Sequence, residues 1–288
     1  MMHQWVVSPG KLNLFLYVTG RRSDGYHYLQ TLFRLLDYGD NMKFFVTKNG
    51  CIRLFNTNNN IISNNNLVIQ AAKLLRKFCF RSCQKKPGVD IILHKKLPIG
   101  SGLGGGSSNA ATTLMILNQE WRCFLEKKVL MRLGLMLGAD IPVFINGYSA
   151  FSEGIGEKLV SIFLPERWYL IIIPPIYINT TWVFDVYRSA FNYYSPYRSV
   201  EKLLNTPFSN DLEPIVKNMF PEIKKYFFYL SNYASARLTG TGACIFFEFY
   251  NRYLACQSQK YLPNWIKSIV VRGIYISPVH QILSKIKI

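Results

Sequence analysis

Apolar residues fall along the chain in two spacings. Short runs rich in β-branched and aromatic side chains predict strands over Gln4–Val7, Leu12–Val18, Met42–Thr47, Ile52–Phe55 and Val89–Leu93. Helical spacing predicts a helix over Leu67–Phe78, with Asn66 at its N-cap, and further helices over Ser108–Asn118 and Glu126–Leu137. Between the first two kinds of segment, Asn56 to Asn66 is a polar loop. Strands follow at Tyr148–Ser152 and Trp168–Ile173. The second half reads as mixed. Helices are expected near Trp182–Tyr187, Ser199–Leu204, Leu212–Met219 and Pro221–Leu230, and strands near Ala243–Phe249 and Val270–Ile276. The turn-rich stretch "GIGEKLVSIFLPE" suggests a change of domain, so two α/β (α+β) units are expected, 1–160 and 161–288. No internal repeat is evident.

Composition narrows the classes. At 49% hydrophobic, 288 residues can bury a sizeable core. The longest apolar stretch, "WYLIIIPPIYI", is broken by Pro174 and Pro175 and reads as a buried strand ending in a turn rather than a membrane span. The N-terminus lacks a basic-then-apolar leader pattern, and a cytoplasmic protein is expected. Six scattered cysteines form no C-x-x-C pair and the four histidines do not cluster with them, which argues against structural zinc and a disulfide framework. The net charge of +18 invites a nucleic-acid reading. Yet the basic residues are spread out, and abundant Lys, Asn, Ile, Phe and Tyr fit drift toward AT-rich codons. A positive field also suits a polyphosphate substrate.

One segment points to an anion, with a flexible linker as the plainer reading. "LPIGSGLGGGSSNAAT" places five glycines within seven residues, directly before an Ala-rich helix. Glycine is costly to order, but without Cβ atoms backbone N–H groups can approach an anion, and the following helix adds its positive terminus. Ser107 and Ser108 can cap that helix, contact phosphate oxygens or help hold Mg²⁺. The Walker pattern fails because Ser107 follows Gly106 directly, and the dinucleotide pattern lacks a convincing acidic partner.

Four other pieces can carry chemistry. Lys11 in "SPGKLNLFL" opens an apolar strand, where it either snorkels or stabilises an ionising hydroxyl or a carboxylate. Tyr26 and His27 follow a Ser-Asp-Gly turn and can stack on a base and bond its edge; an ordinary half-buried strand is the plainer reading. Asp140 in "GADIPVF" is either a helix N-cap or a general base. "RLTGTGAC" is a second Gly-Thr loop entering a strand.

Together and in this order, Pro9–Lys11–Asn13, "PIGSGLGGGSSNAA" and "LTGTGAC" resemble the three motifs of the GHMP kinase superfamily, from about Trp5 to about His280. "SPGKLNLFLYVTGRRSDGYHYLQTLF", "LGADIPVF" and "SNDLEP" are most similar to members acting on a cytidine-diphosphate-linked polyol. The resemblance implies a two-domain kinase with a ferredoxin-like second unit and a cleft between the two. It implies ATP and Mg²⁺, a small-molecule acceptor, no nucleic-acid or membrane partner, and a monomer or homodimer. Asp140 would accept the acceptor's proton and Lys11 would keep Asp140 ionised. Pro98, Ile99, Gly100, Ser101, Gly102, Leu103, Gly104, Gly105, Gly106, Ser107 and Ser108 would wrap the ATP phosphates, with Asn66 and Lys95 toward the adenosine. Tyr26, His27 and Phe184 would hold the cytosine, and Asn13, Thr180, Thr239 and Gly240 would meet the acceptor. Departures are Ser101, where relatives often carry Gly or Ala, a missing proline in "INTTWVF", and the basic surface. Another small-molecule kinase of the superfamily and a basic RNA-binding protein are the alternatives.

Overall fold

A computed structural model describes residues 4–57, 65–190, 194–230 and 235–285. The part of the polar loop between residues 58 and 64 therefore lies outside the described residues. The frame is a hairpin of two long antiparallel strands, β1 (Val6–Arg21) and β2 (His27–Thr47), joined by the Ser-Asp-Gly turn. Sequence spacing suggested shorter pieces because Ser8, Lys11, Asn13, Gln30, Thr31, Arg34 and Asp40 interrupt the apolar runs. All seven are buried. Each finds a polar partner inside the protein, so the strands continue through them. Breaks in register after Pro9, Asn13 and Val18 bend β1 along the way.

Around this hairpin the first half adds β3 (Ile52–Asn56), α1 (Leu67–Cys79), β4 (Gly88–His94), α2 (Gly105–Glu120), α3 (Lys127–Leu135), α4 (Ile141–Asn146), β5 (Ala150–Gly154) and β6 (Lys158–Ser161). The last of these is a correction, because the stretch read as a turn-rich connection contains a strand paired to β5. Helix α2 is buried on nearly every side, between the sheet, α1 and α4, which its Ala-Ala-Thr-Thr segment permits by keeping neighbours close.

The second half comprises β7 (Trp168–Ile172), α5 (Thr180–Ala190), α6 (Val200–Leu204), α7 (Glu213–Met219), α8 (Pro221–Leu230), β8 (Arg237–Leu238), β9 (Ile245–Phe249), α9 (Arg252–Lys260), β10 (Ser268–Ile274) and α10 (Pro278–Leu283). Helices α9 and α10 were not anticipated. Strand β7 explains its unbroken apolar run, since Leu170 and Ile172 enter one core while Tyr169 and Ile171 enter another. The strand order is β3-β4-β2-β10-β7-β9-β8, with β1 and β5 also on β2. The sheet is continuous because β10 pairs with β7 along Ser268–Arg272 and with β2 through Gly273 and Ile274. Buried Arg34 pins this junction by donating to the carbonyls of Leu164, Pro165 and Gly273. Helix α10 returns to the first half, where His280 Nε2 meets the Ile145 carbonyl at 3.0 Å and braces the end of α4.

Candidate active site

The two glycine loops lie against each other. Ala243 N and Cys244 N donate to the carbonyls of Gly100 and Ser101, at 3.3 and 3.1 Å. At Gly102, φ is +76°, and a Cβ would fall 2.1 Å from the Thr239 carbonyl oxygen, so only glycine fits. Helix α2 begins at Gly105, three residues earlier than its periodicity suggested, with left-handed Gly104 as its N-cap residue. Ser107 and Ser108 therefore lie in the first turn and are not caps. Ser108 is wholly buried, and its hydroxyl bonds that of Ser8 at 2.8 Å. Ser107 stays half-buried at the open face. Ser101 ties the loop to itself, donating to the Pro98 carbonyl at 2.7 Å.

Behind this loop lies a charged network that sequence reasoning missed. Asp40 is fully buried and accepts from Lys95 Nζ, from the backbone N–H groups of Lys96 and Leu97 (2.7 and 2.8 Å), and from Asn109 Nδ2 (3.0 Å). Four donors on one carboxylate offset the cost of burying it. Lys95 is thereby held beside the start of α2, 3.1 Å from where a Cβ on Gly105 would lie. Asn66 does cap α1, accepting from Val68 N at 2.9 Å, while lining the same cavity.

Lys11 sits in mid-strand, 3% exposed, so it does not snorkel. Its Nζ lies 3.3 Å from Asp140 Oδ2 and 2.5 Å from Asn13 Oδ1, and 5.5 Å from the centre of the Phe33 ring. Lys11 and Asn13 alternate along β1 and share one face, while Leu12 and Leu14 enter a core on the other side. Asp140 stands at the N-cap position of α4, but in helical conformation and with no side-chain bond to the helix. Its carboxylate, 38% exposed, turns to Lys11 instead. Asp140 therefore makes no capping bond, and its carboxylate is left to face Lys11 and the cleft.

On the far wall, His27 stacks on Phe184 (5.3 Å between ring centres, 23° between planes) and meets Tyr187 edge-on. Burial, then the nearby Arg21 and Arg188, push the His27 pKa down, so the ring is neutral at ordinary pH. Its Nε2 is buried with no partner in the protein. Tyr26 projects beside it, more than half exposed. Thr180, at the start of α5, bonds Thr241 of the second loop at 3.0 Å between hydroxyl oxygens.

A single cleft of about 1110 Å³ gathers these groups. Every site residue expected from the sequence lines it except Leu103, Ser108 and Thr239. Those three are buried behind the loops, Leu103 as an apolar plug whose carbonyl accepts from Lys11 N. The cleft also holds Thr31, Asn109, Asp185 and Arg188, for which the sequence carried no local signal. Among the described residues no group of three His, Cys, Asp or Glu could cage a metal ion, and no helix is long and apolar enough to cross a membrane.

Comparison with known proteins agrees with this geometry. The GHMP kinases N terminal domain pattern matches residues 66–148 and the GHMP kinases C terminal pattern matches residues 195–257. The 4-diphosphocytidyl-2-C-methyl-D-erythritol kinase of Blochmanniella pennsylvanica (strain BPEN) is 60% identical over 99% of this chain and 96% of its own. A crystal structure of 4-(cytidine 5'-diphospho)-2C-methyl-D-erythritol kinase superposes with a TM-score of 0.78 at 29% identity, covering 94% of this chain and 100% of the other. Methanococcus jannaschii mevalonate kinase shares the fold at a TM-score of 0.67 and 15% identity, covering 95% of this chain and 99% of its own. With both domain patterns matched and that degree of identity along nearly the whole chain, this protein belongs to the GHMP kinases, within their 4-diphosphocytidyl-2-C-methyl-D-erythritol kinase family.

Proposed function

We propose that the cleft transfers the γ-phosphoryl group of ATP to the 2-hydroxyl of 4-diphosphocytidyl-2-C-methyl-D-erythritol, giving the 2-phosphate and ADP, a step of non-mevalonate isoprenoid precursor biosynthesis in the cytoplasm. The observation that carries this reading is the Lys11–Asp140 pair, left uncommitted to helix capping and facing the glycine loop. Phosphoryl transfer asks a protein mainly for positioning and charge stabilisation. Asp140 takes the proton of the 2-hydroxyl as its oxygen attacks the γ-phosphorus and the bond to the ADP oxygen breaks. Lys11 stabilises the developing negative charge on the acceptor oxygen.

ATP lies with its phosphates on the N–H groups of Gly102 to Ser107, at the positive end of α2. Asn66 and Lys95 stand toward its adenosine. Mg²⁺ would accompany the phosphates and offset their charge, and Ser107 is the hydroxyl that would hold it. Ser108, wholly buried and bonded to Ser8, is the less favoured of the two serines for that role. The cytosine is held by Tyr26 and Phe184, with its edge toward the unpartnered His27 Nε2. Asn13, Thr180 and the Thr239–Gly240 loop bound the polyol end. We place the change of unit just after β6, one residue beyond the expected 160–161, because Ser161 still pairs with Ala150 of β5, with β10 and α10 of the second unit clasping the first.

The test is an acceptor panel with ATP and Mg²⁺. ADP release is expected with the cytidyl acceptor and far less with homoserine, galactose or mevalonate, and the product should carry its new phosphate on the 2-oxygen. Equal turnover of any of those three overturns the assignment.

A further inference from the structure

The segment "SNDLEP" lies outside the cleft, yet it touches both β1 and the second glycine loop. Ser209 to Asp211 pair with β1 at its bulge. Leu16 N donates to the Ser209 carbonyl (3.0 Å) and Asp211 N to the Leu16 carbonyl (2.9 Å). Asp211 Oδ2 accepts from Val18 N at 2.8 Å, and burial pushes the Asp211 carboxyl up in pKa. The middle residue, Asn210, is buried and does not line the cleft. Its Nδ2 donates to the carbonyls of Leu238 (2.9 Å) and Gly240 (2.7 Å), and its Oδ1 accepts from Leu212 N (2.9 Å).

Both amide donors of Asn210 are thus spent on the two carbonyls that flank Thr239. The loop they hold turns on left-handed glycines at 240 and 242. It presses on the catalytic face of β1. Thr239 Oγ1 accepts from Asn13 N at 3.0 Å, and a Cβ on Gly240 would lie 3.1 Å from Asn13 Oδ1 and 3.6 Å from Lys11 Nζ. We propose that Asn210 is a positioning residue for phosphoryl transfer, fixing the Thr239–Gly240 loop against Lys11 and Asn13 so that the acceptor hydroxyl meets Asp140. The inference rests on the reading that this loop bounds the acceptor.

The chemistry at 210 is specific to a carboxamide. Aspartate of the same shape offers acceptors to two carbonyl oxygens, and serine cannot span both. A displacement of about 1 Å at a reacting centre costs on the order of a hundredfold in rate. The experiment compares Asn210→Asp, Asn210→Ser, Gly240→Ala and the double variant Asn210→Asp/Gly240→Ala with the parent, measuring kcat, the KM of each substrate and Tm. Gly240→Ala tests the underlying reading: it should raise the acceptor KM and leave the ATP KM unchanged. If it does not, the loop is not part of the acceptor site, and the proposal falls with that reading. Given that effect, both Asn210 variants should lower kcat and raise the acceptor KM, roughly tenfold or more for Asp, with ATP KM held within about threefold. The double variant should lose little beyond the worse single one, because both act on one loop. Asn210→Ser guards against misfolding of the aspartate variant. Folded Asn210 variants with parental kcat and acceptor KM overturn the proposal. So does a loss shared equally by both substrates and following Tm.

Discussion

The two glycine loops meet in one cleft but are secured in different ways. The first, 100–106, is anchored by charge: buried Asp40 collects Lys95, two backbone N–H groups and Asn109, and the loop leads into a helix enclosed on nearly every side. The second, 239–242, leads into a strand and is held by neutral groups: the Asn210 carboxamide on the Leu238 and Gly240 carbonyls, Asn13 N on Thr239, and Thr180 on Thr241. The difference follows from what each loop faces. A polyphosphate needs a rigid ring of N–H donors, and a buried carboxylate behind the ring fixes its flanks at Lys95–Leu97 and at Asn109. The second loop lies beside Lys11, whose charge is already matched by Asp140. A further ion there would perturb that pair, and a neutral anchor leaves it alone.

The contrast can be broken where the loops touch. Gly102→Ala places a methyl into the Thr239 carbonyl and forces a left-handed conformation on an L-residue. That conformation alone costs roughly 1–2 kcal/mol, before the clash. Stability should fall by about 2–4 kcal/mol, and activity should be lost toward both substrates together. A chemical denaturation curve and separate KM values check this. Cutting the first anchor alone separates the loops: Asp40→Asn turns an amide donor toward Lys95 and Asn109. We expect the ATP KM to rise about tenfold, the equivalent of one charge-assisted hydrogen bond, while the acceptor KM holds. Equal changes in both would mean the anchors are not independent. Thr180→Val, which removes only the hydroxyl pairing with Thr241, should be mildest, with under about 1 kcal/mol lost and a small rise in acceptor KM.

How much of this the sequence disclosed depends on distance along the chain. The first glycine loop was legible because its meaning is local, glycines followed by a helix. Asp140 and Lys11 were visible as residues with two readings each, and the pairing that decides between those readings spans 129 positions. Asp40 carried no signal, and Asn210 stood out only as part of "SNDLEP", with no role attached. Their partners lie 55 and 69 positions away for Asp40, through Lys95 and Asn109, and 28 and 30 for Asn210, and each resembles an ordinary surface residue until the fold buries it. The same reason hid the full lengths of β1 and β2, whose polar positions looked like interruptions until their internal partners were seen. Ser108 was assigned a face it does not have, because helix α2 starts earlier than its apolar spacing shows and turns that hydroxyl toward Ser8.

Both loops converge on the Lys11–Asp140 pair, and Asp140→Asn tests that centre most directly. The substitution keeps the side chain's size, and no capping bond is lost because none is made. A folded variant is expected, with Tm near that of the parent, ATP binding retained, and turnover of the cytidyl acceptor reduced by roughly 10²–10⁴-fold, the scale of general-base loss. A folded, ATP-binding Asp140→Asn variant that keeps near-parental turnover would contradict this role for Asp140 and place the base elsewhere in the cleft.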